Sequence, residues 1–459
     1  MSTQVVIHPS SYRDPSGFIF EKGGIIYRQV NISFKDDFDF FINSGCYTAL
    51  TGKGLLIPHE PIQENLTGSD QFYRTLLPEK IDFISYPYEW SFDMFKDAAL
   101  LTLQLLKESI SYGLIVKDAS PYNIQWHKGK LIFIDTLSFE KYKETEPWIA
   151  YRQFCECFLG PLLLMHYNKV PLHSLSLAYP DGIPLTVIKS LLPGKSRFSL
   201  HTYLHIHLHA KISNRDKPAD NKTTGFSKQK LLNLISSLET LIQGLRFTIQ
   251  QSAWSDYYEE AATRNNYLDQ KKKIITGWIS GRTDIRTAAD LGANEGEFSR
   301  LLSEKKIQVV AADYDPWCIN KLYQEIKSNG IQNIQPMILD ISNPSPAIGV
   351  NNEERQSFVQ RCQTDLVLAL AVIHHLAIGK NIPFEKIAAF FSKTGKDLII
   401  EFIPKEDEKI QGMLKTKKDI YANYTEENFT EAFEKFYSVT FRQSIGGTGR
   451  VLYRMKRKD

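Results

Sequence analysis

The sequence predicts a mixed α/β protein of two domains, with a parallel sheet in its second half. Residues 289–299 read ADLGANEGEFS, which sets two glycines and an asparagine between a strand-like run and a helix-like run. Apolar strand-like runs then alternate with helix-like segments, a pattern typical of parallel sheets. The chain ends on two strand-like runs around a glycine-rich turn at 446–449, which predicts a β-hairpin.

Length, charge and cysteine content set limits on the function. The chain has 459 residues, enough for two or three domains, and a net charge of +3, too small to imply a strong field for nucleic acid or anionic lipid. Five cysteines do not make a disulfide framework, and the Cys155–Cys157 pair has no second pair with which to bind zinc. We expect no metal site. With no signal peptide pattern and no apolar run long enough to span a bilayer, we expect a cytoplasmic protein, and its oligomeric state is not indicated.

The first domain, predicted to cover 1–250, has an α+β pattern in which a helix at 92–112 precedes a hairpin that turns at Lys128-Gly129. Asp118 and Asn123 lie five residues apart before that hairpin, and Asp135 follows it. These residues resemble the catalytic and metal loops of protein-kinase-like phosphotransferases. The resemblance implies that Asp118 would orient or deprotonate an acceptor hydroxyl, while Asn123 and Asp135 would hold Mg²⁺ on the phosphates of ATP.

This first domain also departs from the kinase pattern. Lys117 replaces the usual His-Arg or His-Gly, and Thr136-Leu137 replaces Phe-Gly. The pair Gly23-Gly24 fits a hairpin turn as well as a phosphate loop, and no lysine in the first eighty residues fits a third strand. We therefore expect a degenerate kinase-like scaffold. Binding of ATP and Mg²⁺ is one alternative, and an unrelated α+β domain whose aspartates cap turns is another.

The remainder of the first domain is predicted to be helical. An aromatic and leucine-rich stretch at 147–167 predicts a buried helical region, and leucines and isoleucines at helical spacing over 231–245 predict an amphipathic helix. Between them, 211–230 is polar and predicts a loop or linker. The histidines of 201–209 could share one face and hold a metal, but no carboxylate or cysteine is interleaved. We interpret them as polar-face residues.

The second domain, predicted to cover 251–459, carries polar residues where its strand-like runs end. Asp290, Gly292, Asn294 and Gly296 alternate directly after the first run. The next runs, 307–312 and 335–339, end at Asp313 and Asp340; a fourth run, 365–371, leads into His374-His375, and a fifth, 398–403, contains Glu401. In a doubly wound fold, an acid about twenty residues past the glycines binds a ribose diol, which is the position of Asp313.

The motif Asp-x-Gly-x-Asn-x-Gly at 290–296 resembles motif I of class I S-adenosylmethionine-dependent methyltransferases. Five further sequence segments resemble two-domain bacterial proteins of this class, which are sometimes labelled nodulation host-specificity methyltransferases. These segments are 86–92, 117–123, 134–139, 147–155 and 370–376. The resemblance implies a seven-stranded Rossmann-like sheet and S-adenosylmethionine as cofactor, bound by Asp290, Gly292, Ala293, Asn294, Gly296, Asp313, Tyr314, Asp340 and Ile341. A Rossmann dehydrogenase is the alternative, against which the terminal hairpin, Asn294 and the histidine pair all count.

An oxygen acceptor would need a base, and His374 or His375 is the best candidate because it follows the fourth strand. Either could instead cap a helix, and Glu401 is a weaker candidate. Aromatics at 254–258 and Tyr267 are expected in a helical lid over the cofactor. We expect a small-molecule or glycoconjugate acceptor, and no basic stripe indicates nucleic acid. A bifunctional kinase-methyltransferase and a non-catalytic regulatory protein are the alternatives.

Overall fold

A computed structural model describes residues 4–172, 174–213, 226–248, 265–415 and 417–458. The chain divides into two compact units. The first unit contains Met1–Ile249 and Ala347–Arg355, and the second contains Gln250–Pro346 and Gln356–Asp459. Residues 347–355, which the sequence pattern places in the second domain, group with the first unit.

The first unit contains a five-stranded antiparallel sheet in the order β1-β2-β3-β5-β4. Its strands are β1 (Val5–Ile7), β2 (Gly17–Lys22), β3 (Ile25–Asn31), β4 (His59–Ile62) and β5 (Phe72–Pro78). Gly23 and Gly24 join β2 to β3 with φ of 62° and 81°, a left-handed conformation that glycine adopts without steric penalty. The hairpin predicted at these glycines is present.

Helices and two short strand pairs complete the first unit. The strand pairs are β6 (Leu114–Val116) with β9 (Phe139–Lys141) and β7 (Ile124–His127) with β8 (Lys130–Phe133). The helices are α1 (Lys35–Asn43), α2 (Cys46–Gly52), α3 (Phe92–Ser111), α4 (Tyr151–Phe154), α5 (Gly160–Asn168), α6 (Leu175–Ala178), α7 (Leu185–Leu191), α8 (Leu200–Thr202), α9 (His209–Ser213) and α10 (Lys228–Gly244). Helix α3 contributes to the hydrophobic core of the first unit, since Phe95 and Leu103 on it are fully buried.

The histidines of 201–209 lie on a helix that contains a π-helical stretch, Tyr203–Leu208. Both ring nitrogens of His205 have partners: Nδ1 is 2.8 Å from the Tyr151 hydroxyl and Nε2 is 2.9 Å from Ser237 Oγ. In the described part of the chain, no three histidine, cysteine or acidic side chains are grouped so that they could hold a metal ion. Within the same part, no helix is both long and apolar enough to cross a membrane.

The second unit is built on a seven-stranded sheet in the order β12-β11-β10-β13-β14-β16-β15. Its strands are β10 (Thr287–Leu291), β11 (Gln308–Asp313), β12 (Ile334–Ile338), β13 (Thr364–Ala369), β14 (Gly395–Phe402), β15 (Tyr437–Ser444) and β16 (Val451–Arg457). The first five are parallel to one another, and the terminal hairpin β15–β16 adds two antiparallel strands beside β14. The mixed α/β class expected from the sequence is confirmed.

Helices connect these strands and cover the sheet. They are α11 (Asn265–Ile279), α12 (Glu297–Glu304), α13 (Pro316–Asn329), α14 (Phe358–Arg361), α15 (Phe384–Ser392), α16 (Glu408–Leu414) and α17 (Glu426–Glu434). Asp315 caps the start of helix α13, since its carboxylate accepts a hydrogen bond from Trp317 N, and Pro316 is the first helical residue. Gly330, with φ of 65°, caps its end. Parallel strands place their carboxyl ends at one edge, so the turns that follow β10, β11, β12 and β13 share that edge.

Candidate functional site

A cleft lies at the carboxyl edge of the parallel strands, entirely within the second unit. It contains about 1410 Å³ of empty space, its open mouth included. Eight of the nine residues predicted to bind a cofactor line it: Asp290, Gly292, Ala293, Asn294, Asp313, Tyr314, Asp340 and Ile341. The ninth, Gly296, is not among its lining residues. The structure therefore brings together residues from Asp290 to Ile341, which follow three different strands of the chain.

The turn after β10 shapes the floor of this cleft. Gly292 has φ of 92°, and a Cβ there would meet Val372 Cγ1 at 2.3 Å, so only glycine fits. Asn294 also takes a left-handed conformation, with φ of 51°. Gly296 begins helix α12 with φ of 83°, and a Cβ on it would meet Leu322 Cδ1 at 2.5 Å. The second glycine thus permits close helix packing, while the first borders the cleft.

Two carboxylates line the cleft, a buried one, Asp290, and a half-buried one, Asp313. Asp313 accepts hydrogen bonds from Asn294 N at 2.7 Å and Asp315 N at 2.8 Å. Asp290 accepts one from Ser299 Oγ at 2.7 Å. Burial raises the pKa of each to about 6, and the charge of Asp313 adds to the shift of Asp290. These acids are therefore held in a site that disfavours their charge.

The third acid, Asp340, follows β12. Its Oδ1 accepts from Ser342 N at 2.8 Å and Ser342 Oγ at 2.5 Å, which fixes the carboxylate in a tight turn. Lys380 Nζ lies 3.9 Å from Asp340 Oδ2 and 5.9 Å from the ring centre of Tyr314. Tyr314 is 65% exposed. An acid, a lysine and an exposed aromatic ring thus form one wall of the cleft.

The histidine pair follows β13 on the opposite wall. His375 lines the cleft, whereas His374 is buried behind it, and their ring centres are 3.9 Å apart. Burial lowers the pKa of His375 to about 4 and that of His374 well below its usual value. Both imidazoles are thus neutral at pH 7. Just before them, Ala371 has φ of 55°, and the stretch His375–Gly379 is π-helical, two departures from regular backbone beside the cleft.

A buried polar network that the sequence analysis missed forms a further wall. Lys271 Nζ lies 2.6 Å from Glu401 Oε2, and the hydroxyl of Tyr267 donates to Glu401 Oε1. Arg450 Nη1 donates to the Tyr267 hydroxyl at 2.8 Å, and Arg450 Nε donates to Asp407 Oδ2 at 2.8 Å. Tyr267 and Lys271 line the cleft, while Glu401 is completely buried.

This network changes the interpretation of Glu401, which the sequence suggested as a weak base candidate. Burial would raise its pKa, but Lys271 and Arg450 hold the pKa below its usual value, so the carboxylate stays charged and paired. One signal was available in the sequence: an acid in an otherwise apolar strand requires a buried cation. The expected aromatic lid at 254–258 lies outside the described residues; Tyr267 belongs to α11.

The kinase-like residues of the first unit also come together. Asn123 Nδ2 donates to Asp118 Oδ2 at 3.0 Å, and Gln153 Nε2 donates to Asp118 Oδ1 at 2.6 Å. Asp135 accepts from Ser138 Oγ at 2.5 Å and forms an ion pair with Arg28 on β3. No lysine was predicted on the third strand, and Arg28 of β3 is the cation that pairs with Asp135.

The pKa values of the two acids in this cluster, Asp118 and Asp135, shift in opposite directions. Burial, and then the nearby charge of Asp135, raises the pKa of Asp118. Burial would also raise the pKa of Asp135, but Arg28 and the hydrogen bonds from Ser138 and Leu137 N hold it below its usual value. Asp135 is therefore an internally paired carboxylate.

Comparison with known proteins gives one relative over nearly the full length. The chain is 32% identical over 459 residues to nodulation protein NoeA of Rhizobium meliloti (strain 1021), covering 98% of this chain and 96% of the relative. No family model matches. Among solved structures, a TehB-like SAM-dependent methyltransferase from Corynebacterium glutamicum gives a TM-score of 0.31 at 14% identity, covering 45% of this chain and 96% of its own. The bifunctional kinase-methyltransferase WbdD gives 0.29 at 16% identity, covering 47% and 45%.

Proposed function

The chain belongs to the family of the nodulation protein NoeA, and we propose that it is an S-adenosylmethionine-dependent methyltransferase. We propose that its acceptor is an oxygen atom of a small molecule or a glycoconjugate. One observation carries the proposal. Asp340, Asp313 and Asp290 lie at or just after the carboxyl ends of β12, β11 and β10, which are neighbours in the sheet, and all three line one cleft.

The residues of the cleft suit this cofactor in shape and in charge. The Gly292 turn leaves room that a Cβ would fill, so a ligand can approach the backbone. We assign the ribose hydroxyls to Asp313 and the adenine amino group to Asp340. When bound, the cofactor supplies an activated methyl group on a positively charged sulfur. The three acids that line the cleft, Asp290, Asp313 and Asp340, favour a cationic ligand, since carboxylates attract it directly.

We assign the base role to His375, with His374 behind it as the residue that holds it in place. Because the pKa of His375 lies near 4, its imidazole is neutral at pH 7, the protonation state that a general base requires. The cleft residues would otherwise act by orienting the acceptor and excluding water, which account for much of the rate in methyl transfer. A charged and paired Glu401 is a poorer base.

Calorimetry with S-adenosylmethionine tests the proposal, on wild type beside Asp313→Ala. We expect wild type to bind with a dissociation constant in the micromolar range. The affinity should fall at least about a hundredfold in Asp313→Ala, since the variant lacks two charge-assisted hydrogen bonds to the ribose. Asp419→Ala removes an acid that pairs with Lys405 away from the cleft and serves as the matched control. Absence of binding to wild type would refute the proposal. Binding without transfer to any oxygen acceptor would favour the non-catalytic regulatory alternative.

For the first unit we propose a kinase-like scaffold that takes part in acceptor recognition and does not transfer phosphate. The pairing of Asp135 with Arg28, Ser138 and Leu137 N supports this, because a metal-binding carboxylate needs free oxygen lone pairs. The bifunctional alternative keeps support from the grouping of Asp118, Asn123 and Asp135. A calorimetric signal with ATP and Mg²⁺ that Asp135→Ala abolishes would favour the bifunctional enzyme.

A further inference from the structure

One stretch of the first unit lacks acidic residues altogether. The chain has 52 aspartates and glutamates among 459 residues, but residues 182–213 contain none. The same stretch contains four lysines and arginines, Lys189, Lys195, Arg197 and Lys211. The small net charge of the whole chain therefore conceals a local excess of positive charge.

Large apolar side chains of this stretch face solvent. Phe198 is 91% exposed and Leu200 67%, and Tyr203 and Leu204 are each 42% exposed. Leu200, Tyr203 and Leu204 are three and four residues apart on one helix, so they share a face, and Phe198 directly precedes that helix. Isolated exposed apolar residues are common, but four large ones within seven residues indicate an interaction surface.

Two cations border these apolar side chains. Lys195 and Arg197 lie on a short 3-10 helix, Gly194–Phe198, and both are exposed. Within the described residues, neither forms an ion pair with a carboxylate. We refer to Lys195, Arg197, Phe198, Leu200, Tyr203 and Leu204 as the basic apolar surface.

The segment that carries the basic apolar surface is packed against the first unit by its buried residues. Ser196 is completely buried, and its hydroxyl lies 2.8 Å from Nε2 of buried His207. Thr202 and Ile206 are also completely buried on the inner side of the same helix. The exposed side chains are therefore presented by a segment whose inner side is buried and is held in part by the contact between Ser196 and His207.

We propose that the basic apolar surface binds the surface of an anionic lipid bilayer. Exposed phenylalanine and leucine side chains enter the boundary between headgroups and acyl chains, while lysine and arginine pair with lipid phosphates. A second copy of this chain fits less well, because a two-fold contact would set Lys195 and Arg197 against the same cations with no acid to offset them. This inference does not depend on the proposed methyl transfer.

Co-sedimentation of the full chain with vesicles tests the proposal. Vesicles of phosphatidylcholine alone are compared with vesicles of phosphatidylcholine and phosphatidylglycerol in equal parts. We expect binding to the anionic vesicles only, a loss of at least about tenfold in the double variant Phe198→Ser/Leu200→Ser, and a similar loss in Lys195→Gln/Arg197→Gln. High salt should weaken binding of wild type.

Two matched variants serve as controls. Ile420→Ser replaces an apolar residue that is 65% exposed outside the basic apolar surface, and Lys107→Gln/Lys143→Gln removes two exposed cations elsewhere in the first unit. Both should bind like wild type, and circular dichroism should show every variant folded. Absence of vesicle binding, or equal loss in the controls, would overturn the proposal. A dimer in analytical ultracentrifugation that Phe198→Ser/Leu200→Ser dissociates would also overturn it, in favour of self-association.

Discussion

Asp290 and Asp313 of the second unit contrast with Asp135 of the first unit in how the structure treats their charge. In the second unit, Asp290 and Asp313 accept hydrogen bonds only from neutral donors in the described part of the chain, and their pKa values rise to about 6. In the first unit, Asp135 is paired with Arg28, and its pKa is lowered. Asp290 and Asp313 lie beside an open cleft and have no ion-pair partner among the described residues. Asp135 of the first unit is paired internally, although the neighbouring Asp118 keeps a raised pKa.

This difference indicates which cluster awaits a ligand. A buried carboxylate without a cation destabilises the folded state, and a protein keeps such a group where a bound ligand offsets the cost. A buried carboxylate that already has a cation contributes to folding and gains little from a further partner. We therefore assign ligand binding to the cluster in the second unit, and the following predictions test that contrast.

The largest expected effect comes from removing the cation of the first unit. Arg28→Met leaves Asp135 buried without its ion-pair partner, and we expect a loss of about 3 kcal/mol in the free energy of unfolding. Urea unfolding followed by tryptophan fluorescence measures it. The double variant Arg28→Met/Asp135→Asn should recover much of this loss, because the unpaired charge is gone.

A neighbouring arginine provides the control for this experiment. Arg74 lies on β5, and its guanidinium donates to Gln63 at the surface rather than to a buried acid. Arg74→Met should change stability by less than about 0.5 kcal/mol. An equally small change for Arg28→Met would mean that Asp135 is not held by Arg28, and the contrast between the clusters would fail.

How far the sequence predicts these clusters depends on how each one is assembled. The carboxylates of the cleft follow successive parallel strands, and the strand pattern alone implies that such ends share an edge. The contacts of Arg28 with Asp135 and of Lys271 with Glu401 join residues 107 and 130 positions apart. Only the packed tertiary structure determines which cation reaches which acid, so no local pattern reveals these pairs.

Two other features, a π-helical stretch and the grouping of residues 347–355, could not be predicted from the sequence because no local pattern determines them. The π-helical stretch His375–Gly379 inserts an extra residue per turn, which an apolar periodicity of 3.6 does not indicate. The grouping of 347–355 with the first unit depends on contacts such as that of Glu354 with Tyr12 and Arg13, far apart in the chain. By contrast, the turns at Gly23-Gly24 and Gly292 were predictable, because glycine conformation is a local property.

A smaller effect of opposite sign is expected in the second unit. Asp290→Asn removes a buried charge that forms no ion pair among the described residues and that the more distant Lys271 only partly offsets, while the amide can still accept the hydrogen bond from Ser299. A pKa raised by about two units corresponds to roughly 2.7 kcal/mol at pH 7. We expect the ligand-free protein to gain about 2 kcal/mol, because the buried amide of the variant also loses hydration. Asp365→Asn is the matched control, because Asp365 is paired with Lys396 and its pKa is lowered. That variant should lose stability.

The pH dependence of the Asp290→Asn gain is the smallest and sharpest expected effect. The pKa of Asp290 is about 6 in the fold against 3.8 for the free side chain, so the folded state binds the proton more tightly. The destabilising charge is therefore fully present above pH 6 and disappears as the pH falls toward 3.8. The stability gap between wild type and Asp290→Asn should shrink by about 1 kcal/mol between pH 7 and pH 5.

The difference in stability between wild type and Asp290→Asn cancels the contributions of other titrating groups. The buried histidines are an example, because their lowered pKa values destabilise both proteins equally in acid. Urea unfolding at several pH values between 5 and 7 gives the gap directly. A gap that stays constant would mean that Asp290 is already neutral or has a partner at pH 7. Saturating S-adenosylmethionine should reverse the sign of the gap at pH 7, because only the charged carboxylate of wild type attracts a cationic ligand.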